Sequence, residues 1–307
     1  MQLVEQTIIS KSDPRYRAID EAAFKSKNLY NAANYVVRQA FIQSRVYLDN
    51  VKVYHLIKSH EAYKALPAKV SNQVLIQLHK AWVAFFEAME AWRVCPEKFT
   101  GRPQLPTYKH KTDGRNLLVY EQGAISKRAL KRGMIAPSGL GVEIPTKQTA
   151  VKQVRIVPRK GFYVFEVVYE QAVKQAEVNP AYYAGIDMGM NNLVALTSNK
   201  PKFPSVSING RPVKSINQYY NKRKAELQKQ LGHTGTTKRM ERMTTKRNRR
   251  IDHYMHTASK RIVDLLVKEG IGTLVIGKND LWSGKPAWAR GPTSSLCKSR
   301  TLILSPC

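Results

Sequence analysis

The stretch Tyr182–Thr197, YYAGIDMGMNNLVALT, decides how the second half of the chain folds. Tyr182, Ala184 and Ile186 alternate and lead into Asp187, the pattern of a buried strand that ends on one carboxylate. Gly185 and Gly189 flank the acid, and glycine so near a strand marks a turn or a close backbone approach. Leu193–Leu196 then reads as a second strand after a short hairpin. Two readings of Asp187 stand side by side. One is a turn cap; the other is a ligand for a hard divalent cation, which takes oxygen donors.

Outward from this stretch, charge is the dominant feature. The chain has 307 residues, enough for two or three domains, with 51 Lys and Arg against 22 acids and a formal charge of +29. A polyanion is the natural partner, nucleic acid before a membrane surface, because the charge is spread along the chain and not gathered on one amphipathic helix. No apolar run approaches the ~18 residues of a spanning helix, and no signal peptide is evident. Cys95, Cys297 and Cys307 are far apart and form no C-x-x-C pair, which argues against disulfides and a zinc ribbon. A cytoplasmic protein is expected, nucleoid-associated if bacterial.

Residues 1–9 predict a first strand, and Ser12-x-Pro14 breaks it. Ala18 to about Leu48 predicts a long helix, with Leu29, Ala33, Val36, Val37 and Ala40 at three- and four-residue spacing. Val53–Leu66 predicts a shorter helix closed by Pro67. Ser71 then caps a helix running to about Trp92. Its face of Val74, Leu75, Leu78, Trp82, Phe85, Phe86, Met89 and Trp92 reads as core rather than as a base-stacking platform. Residues 100–175 change to a period of two: short strands at 117–120, 134–135, 141–144, 151–157 and 161–169 predict a small antiparallel barrel or sandwich, which the first strand could complete.

Two helical stretches follow at about 214–231 and 237–269, and Gly270-Ile271-Gly272 caps the second before a strand at Thr273–Ile276. From Arg211 to Arg261 there are 15 Lys or Arg and three acids, Glu226, Glu241 and Asp252. Lys246, Arg247, Arg249 and Arg250 abut a helix whose other side carries Ile251, Ile262, Leu265 and Leu266. The cations therefore sit on an ordered element and are read as phosphate contacts, together with Lys222, Arg223, Lys238 and Arg239. His253 and His256 have no third ligand in view, so packing or phosphate contact is preferred to metal binding.

Gly185-Ile186-Asp187-x-Gly189-x-Asn191-x-Leu193 resembles the first RuvC motif of the TnpB family, transposon-encoded RNA-guided DNA nucleases related to compact CRISPR effectors. Gly101-x-Pro103-x-x-Pro106, Arg249-Arg250-Ile251-Asp252-His253 and Leu274-Val275-Ile276-Gly277-Lys278-Asn279 fit the family in the same order, so the resemblance runs from about residue 1 to Trp282. It implies an α+β multidomain protein. Residues 1–15 and 97–180 would form a wedge-type β-barrel, 16–96 an inserted helical recognition domain, and 181–282 a truncated RuvC (RNase H-like) α/β domain. It also implies guide RNA and double-stranded target DNA as partners. A surface reading a short DNA motif would lie around Tyr54, Lys69 and Gln73, with Asn116 a further candidate; a glutamine amide can pair with adenine in the major groove.

In the family Asp187 would be one of three metal-binding acids. Many members place the second at the position of Gly277; relatives with the Gly-Lys-Asn version carry it further on. Beyond Trp282 the family pattern stops, and Ser283–Cys307 has no clear period. Codons chosen for these residues and read two bases later permit a text resembling the family's continuation, so a shifted frame accounts for this out-of-family tail, which is expected to be loosely packed. The downstream acid, the zinc-binding pair and the final acid would be lost with it. Asp280 is not at a family position, and Glu166 and Glu170 belong to the barrel. Asp187 alone would hold Mg²⁺ weakly, and no other cofactor is expected. The expectation is a protein that binds guide RNA and DNA without cutting and represses transcription by occupancy. The alternatives are an active RNA-guided endonuclease with RuvC chemistry at Asp187, a decayed transposon product, and a plain basic RNA-binding protein.

Overall fold

The computed structural model describes residues 1–173, 176–232 and 235–277. Asp280, the Lys278-Asn279 pair and the tail 283–307 lie outside them. The chain divides into two compact units, Met1–Ala172 and a second beginning at Val173.

In the first unit, β1 (Gln2–Ser10) pairs along its whole length with β6 (Phe162–Glu170), although the helices α1 (Tyr16–Ser44), α2 (Asn50–Ile57), α3 (Glu61–Lys64) and α4 (Ala68–Val94) lie between them in sequence. With β2 (Leu118–Glu121) and β5 (Val151–Arg159) they make an antiparallel sheet in the order β1-β6-β5-β2. β5 and β6 join through a two-residue turn, Lys160-Gly161, where φ of +84° at Gly161 favours glycine.

The sheet does not close into the expected barrel: β1 and β2 remain its edges. Other elements cover its apolar face instead. Tyr120, Ile156 and Phe165 of the sheet pack with Ile19 and Ala23 of α1, Val70 of α4, and the segment around Ile125, Ile135, Leu140 and Ile144. That segment holds the short α5 (Lys127–Lys131) and the ribbon of β3 (Met134–Ile135) with β4 (Ile144–Pro145). Once a helix layer buries that face, closing the strands on themselves adds little apolar burial.

The helices share a second core of Leu29, Val37, Val53, Ile57, Tyr63, Leu78 and Trp82, so the aromatic face of α4 is interior, as its spacing suggests. Two local expectations are corrected. Residues 53–66 form two helices, because His60 Nδ1 accepts the Ala62 amide at 3.0 Å and starts α3 anew. Ser71 is not a cap: α4 begins after Pro67, and the buried Ser71 hydroxyl donates to the Tyr63 carbonyl at 2.8 Å.

In the second unit, β7 (Asn179–Asp187), β8 (Asn192–Ser198), β9 (Val206–Asn209) and β10 (Ile271–Ile276) form a mixed sheet in the order β10-β7-β8-β9, with β10 parallel to β7. The basic helices α6 (Arg211–Gln230) and α7 (Lys238–Lys268) lie between β9 and β10 in sequence. Ala258, Ile262 and Leu266, spaced by four on α7, pack with Ala184, Ile186, Val194 and Leu196. Among the described residues no helix is long and apolar enough to cross a membrane.

Candidate nucleic-acid interface and the Asp187 sheet end

Alternation along β7 puts Ala184 and Ile186 into the core and leaves Asp187 exposed on the other face, with Tyr183. Antiparallel pairing sets Asp187 against Ala195. On the parallel side Ile186 pairs with Ile276, and the Gly277 amide donates to the Ile186 carbonyl at 3.3 Å, so Gly277 is level with Asp187. Among the described residues a Cβ on Gly277 would meet only that carbonyl oxygen, at 3.7 Å, so they leave room for a side chain that glycine lacks.

The loop after Asp187 is held tightly. The Gly210 amide donates to the Asn191 carbonyl at 2.7 Å, and a Cβ on Gly210 would lie 2.4 Å from the Met190 carbonyl oxygen. Only glycine permits this approach of the α6 start to the loop. Among the described residues no group of three or more His, Cys, Asp or Glu could hold a metal ion, and His253 and His256 are exposed on α7.

Cations dominate the helical side of this unit. Lys238, Arg239, Arg242, Lys246, Arg249 and Arg250 are exposed on α7, as is Lys222 on α6. From Arg239 to Lys260 this is about 32 Å of helix at ~1.5 Å per residue. Arg223 is turned partly to Glu226, with Nη1 2.5 Å from the carboxylate. Arg247 differs from its neighbours. Its Nε reaches the buried Asn217 Oδ1 at 2.8 Å, Nη2 bonds to the same oxygen, and its guanidinium lies 5.5 Å from the Tyr220 ring centre. With the Tyr220–Thr244 hydroxyl contact of 2.9 Å, Arg247 ties α6 to α7. The sequence places it among the phosphate contacts; its geometry makes it first a tie between helices.

The four residues expected to read a DNA motif sit in the first unit, and three are engaged. Asn116 is buried, its Nδ2 donating to Ser26 Oγ at 3.0 Å and Gln77 Oε1 at 3.3 Å, so it cannot present its amide to a base as it stands. Lys69 Nζ donates to the Gly123 carbonyl at 2.8 Å, and Gln73 Nε2, one turn along α4, to Glu121 Oε1 at 2.8 Å. Together they brace the end of β2 and the turn that follows it. Tyr54, half-buried on α2, meets Tyr63 edge-on with ring centres 5.8 Å apart.

Sequence reasoning missed a polar stripe on α1. Lys27, Asn31, Asn34 and Arg38 fall at helical spacing and bond the backbone of the extended segment 106–111. Asn34 and Arg38 donate to the Pro106 carbonyl at 3.0 and 2.9 Å. Asn31 clasps Lys109 through both its carbonyl and its amide, each at 2.9 Å, and Lys27 Nζ donates to the Lys111 carbonyl at 2.6 Å. A strap without secondary structure is thereby satisfied by side chains. The signal was available: four long polar residues on one face of a helix otherwise rich in buried apolar ones.

Among curated proteins no sequence matches the chain. Solved structures that it resembles include a Cas12f1–sgRNA–target DNA complex, at 13% identity and a TM-score of 0.48 over 86% of this chain and 64% of that one. A CRISPR-Cas12f ternary complex aligns at 13% identity and a TM-score of 0.29, over 88% and 63%. The chain thus spans less than two thirds of either structure's own length. Residues 166–282, from within β6 through the sheet end and the basic helices, match the OrfB_IS605 family, described as a probable transposase. Over that stretch the chain is similar to this transposase family, the TnpB family.

Proposed function

We propose that the protein binds a guide RNA and, through it, a DNA target, and does not cut the DNA. Sequence would then be read by base pairing, while the protein supplies cationic contacts to the backbones. One observation supports the non-cleaving part: Gly277 stands level with Asp187 on the neighbouring strand and brings no carboxylate beside it. Two-metal phosphodiester cleavage needs acids from several strands around ions ~4 Å apart. A single exposed carboxylate does not meet that requirement. Occupancy of a promoter by such a complex would repress transcription.

The test is a plasmid assay with guide RNA and Mg²⁺ beside a gel-shift assay on the same target. Guide-dependent shifting without nicking is the expected result. Specific cutting that Asp187→Ala abolishes overturns the non-cleaving part, and shifting that ignores the guide sequence overturns the guided part. A second reading, an endonuclease completed by further carboxylates, draws on the exposed Tyr183 and Val275 flanking Asp187, an apolar face suited to a covering partner. Cutting that appears only when a full-length relative is added would select it.

A further inference from the structure

The first unit contains a cleft of about 710 Å³ between α1, α3 and the strap at 108–111. That is within the ~300–1,000 Å³ range of small-molecule sites. Its charge is lopsided. Lys25, Lys27, Lys109 and Lys111 line it against the single acid Glu61. Lys25 is paired with Glu21 at 2.8 Å, but Lys27, Lys109 and Lys111 form no ion pair among the described residues.

Two of these three are also withdrawn from water. Lys27 is 3% exposed, and its ammonium has one carbonyl acceptor and the Phe24 ring, 3.9 Å to the centroid. Lys109 is half-buried, with Nζ 4.9 Å from the centre of the Tyr30 ring. Burial holds both amines below the ordinary lysine pKa, with the Arg115 and Lys111 charges adding to this at Lys27. A desolvated cation without a counter-charge is costly, and an arriving anion relieves that cost. The backbone clasps on the strap hold Lys109 and Lys111 in place, so the cleft is ordered before any ligand enters.

We propose that this cleft binds a phosphomonoester: the terminal phosphate of a nucleic-acid strand or of a free nucleotide. Three uncompensated cations match a group carrying about −2 at neutral pH better than an internal phosphodiester carrying −1. Tyr108, 45% exposed at the rim, offers a ring on which the attached base can stack. The site belongs to the first unit and the α6–α7 cations to the second, and it does not depend on guided DNA binding.

The test uses the full chain and fluorescence anisotropy with one short RNA, labelled at its 3′ end and bearing either a 5′-phosphate or a 5′-hydroxyl. Tightening by about tenfold with the phosphate is expected, falling below about twofold in Lys109→Ala/Lys111→Ala and retained in Lys246→Ala. The doubly substituted protein must melt as the wild type does; if it does not, Lys111→Glu, exposed at the mouth, replaces it with the same expected loss. Displacement of the phosphorylated strand by AMP identifies free nucleotides as a source of the ligand, and no displacement restricts it to strand ends; either result supports the site. Equal affinity for the two RNAs, or a phosphate preference that the substitutions leave intact, overturns it. Guide-dependent DNA shifting, scored on the same preparation, reads the proposed function independently.

Discussion

In the first unit Asp20 is ringed by partners, whereas in the second Asp187 stands at an open sheet end with Gly277 level with it. Arg115 grips Asp20 at 2.9 and 2.7 Å, and the Tyr163 hydroxyl donates to it at 2.6 Å. The contrast extends to neighbouring residues. In the first unit Asn34, Asn116, Ser71 and Lys27 turn inward and bond other parts of the chain. In the second the cations of α7 face solvent. A polar residue in the first unit therefore chiefly bonds other parts of the chain, and a cation on α7 chiefly faces solvent. Arg247 is the exception on α7.

The largest effect that would test this division is Trp82→Ala. Trp82 is fully buried, and its Nε1 donates to Asn34 Oδ1 at 3.1 Å. The substitution should cost about 4 kcal/mol, from a large cavity and an orphaned amide oxygen. Urea unfolding of the first unit is the measurement; a loss under about 1 kcal/mol would mean that the helical core is loosely packed.

Next comes Asp20→Asn. It leaves a partly buried guanidinium without its counter-charge and should cost about 2–3 kcal/mol at pH 7. Burial opposes ionisation of Asp20, but the Arg115 and Tyr163 hydrogen bonds outweigh it and hold the carboxyl below its ordinary pKa. A depressed folded-state pKa stabilises the protein above the unfolded value of about 3.9, and that stability is lost as pH falls through the lowered one. The gap between wild type and Asp20→Asn should therefore be full at pH 6 and shrink below about pH 4. A gap that does not change with pH would show that the loss is packing and not charge.

Arg247 and Lys246 split the division within one turn of helix. Arg247→Ala should destabilise the second unit by about 1–2 kcal/mol, because Asn217, whose buried Nδ2 already has no partner among the described residues, loses its other bonds too. Lys246→Ala should change stability by less than about 0.5 kcal/mol and lower the slope of log affinity against log salt by about 1. Equal slopes for the two variants would mean that Arg247 contacts phosphate as well.

How much of this could be read from sequence followed the range of the interactions. Local patterns produced the sheet strand ending at Asp187, the helices expected at about 214–231 and 237–269 and found at 211–230 and 238–268, and the interior face of Trp82, since each depends on side chains a few residues apart. The break at His60 hangs on one ring nitrogen accepting one amide, which no period records. The open sheet in place of a barrel depends on which elements, distant in sequence, cover its apolar face. At the candidate site, Asp187 and the cationic helix stood out by residue type. The duties of Asn116, Lys69 and Gln73 did not, because their partners Ser26, Gly123 and Glu121 are 90, 54 and 48 residues away.

The smallest effect bears hardest on the comparison. Asp187 is exposed, pairs only through its backbone with Ala195, and makes no side-chain hydrogen bond or ion pair among the described residues. Asp187→Asn should therefore leave stability within about 0.5 kcal/mol of wild type, in contrast to Asp20→Asn. If one carboxylate holds a divalent cation only weakly, about 10 mM Mg²⁺ should shift the melting of the two proteins equally. Gly277→Asp offers the converse. Its new side chain has room beside Asp187, and a second carboxylate on the neighbouring strand should produce an Mg²⁺-dependent rise in melting temperature that Asp187→Asn removes. A rise already present in the wild-type protein and lost in Asp187→Asn would mean that other carboxylates reach this sheet end, and the contrast between the two aspartates would be one of partners not yet in place.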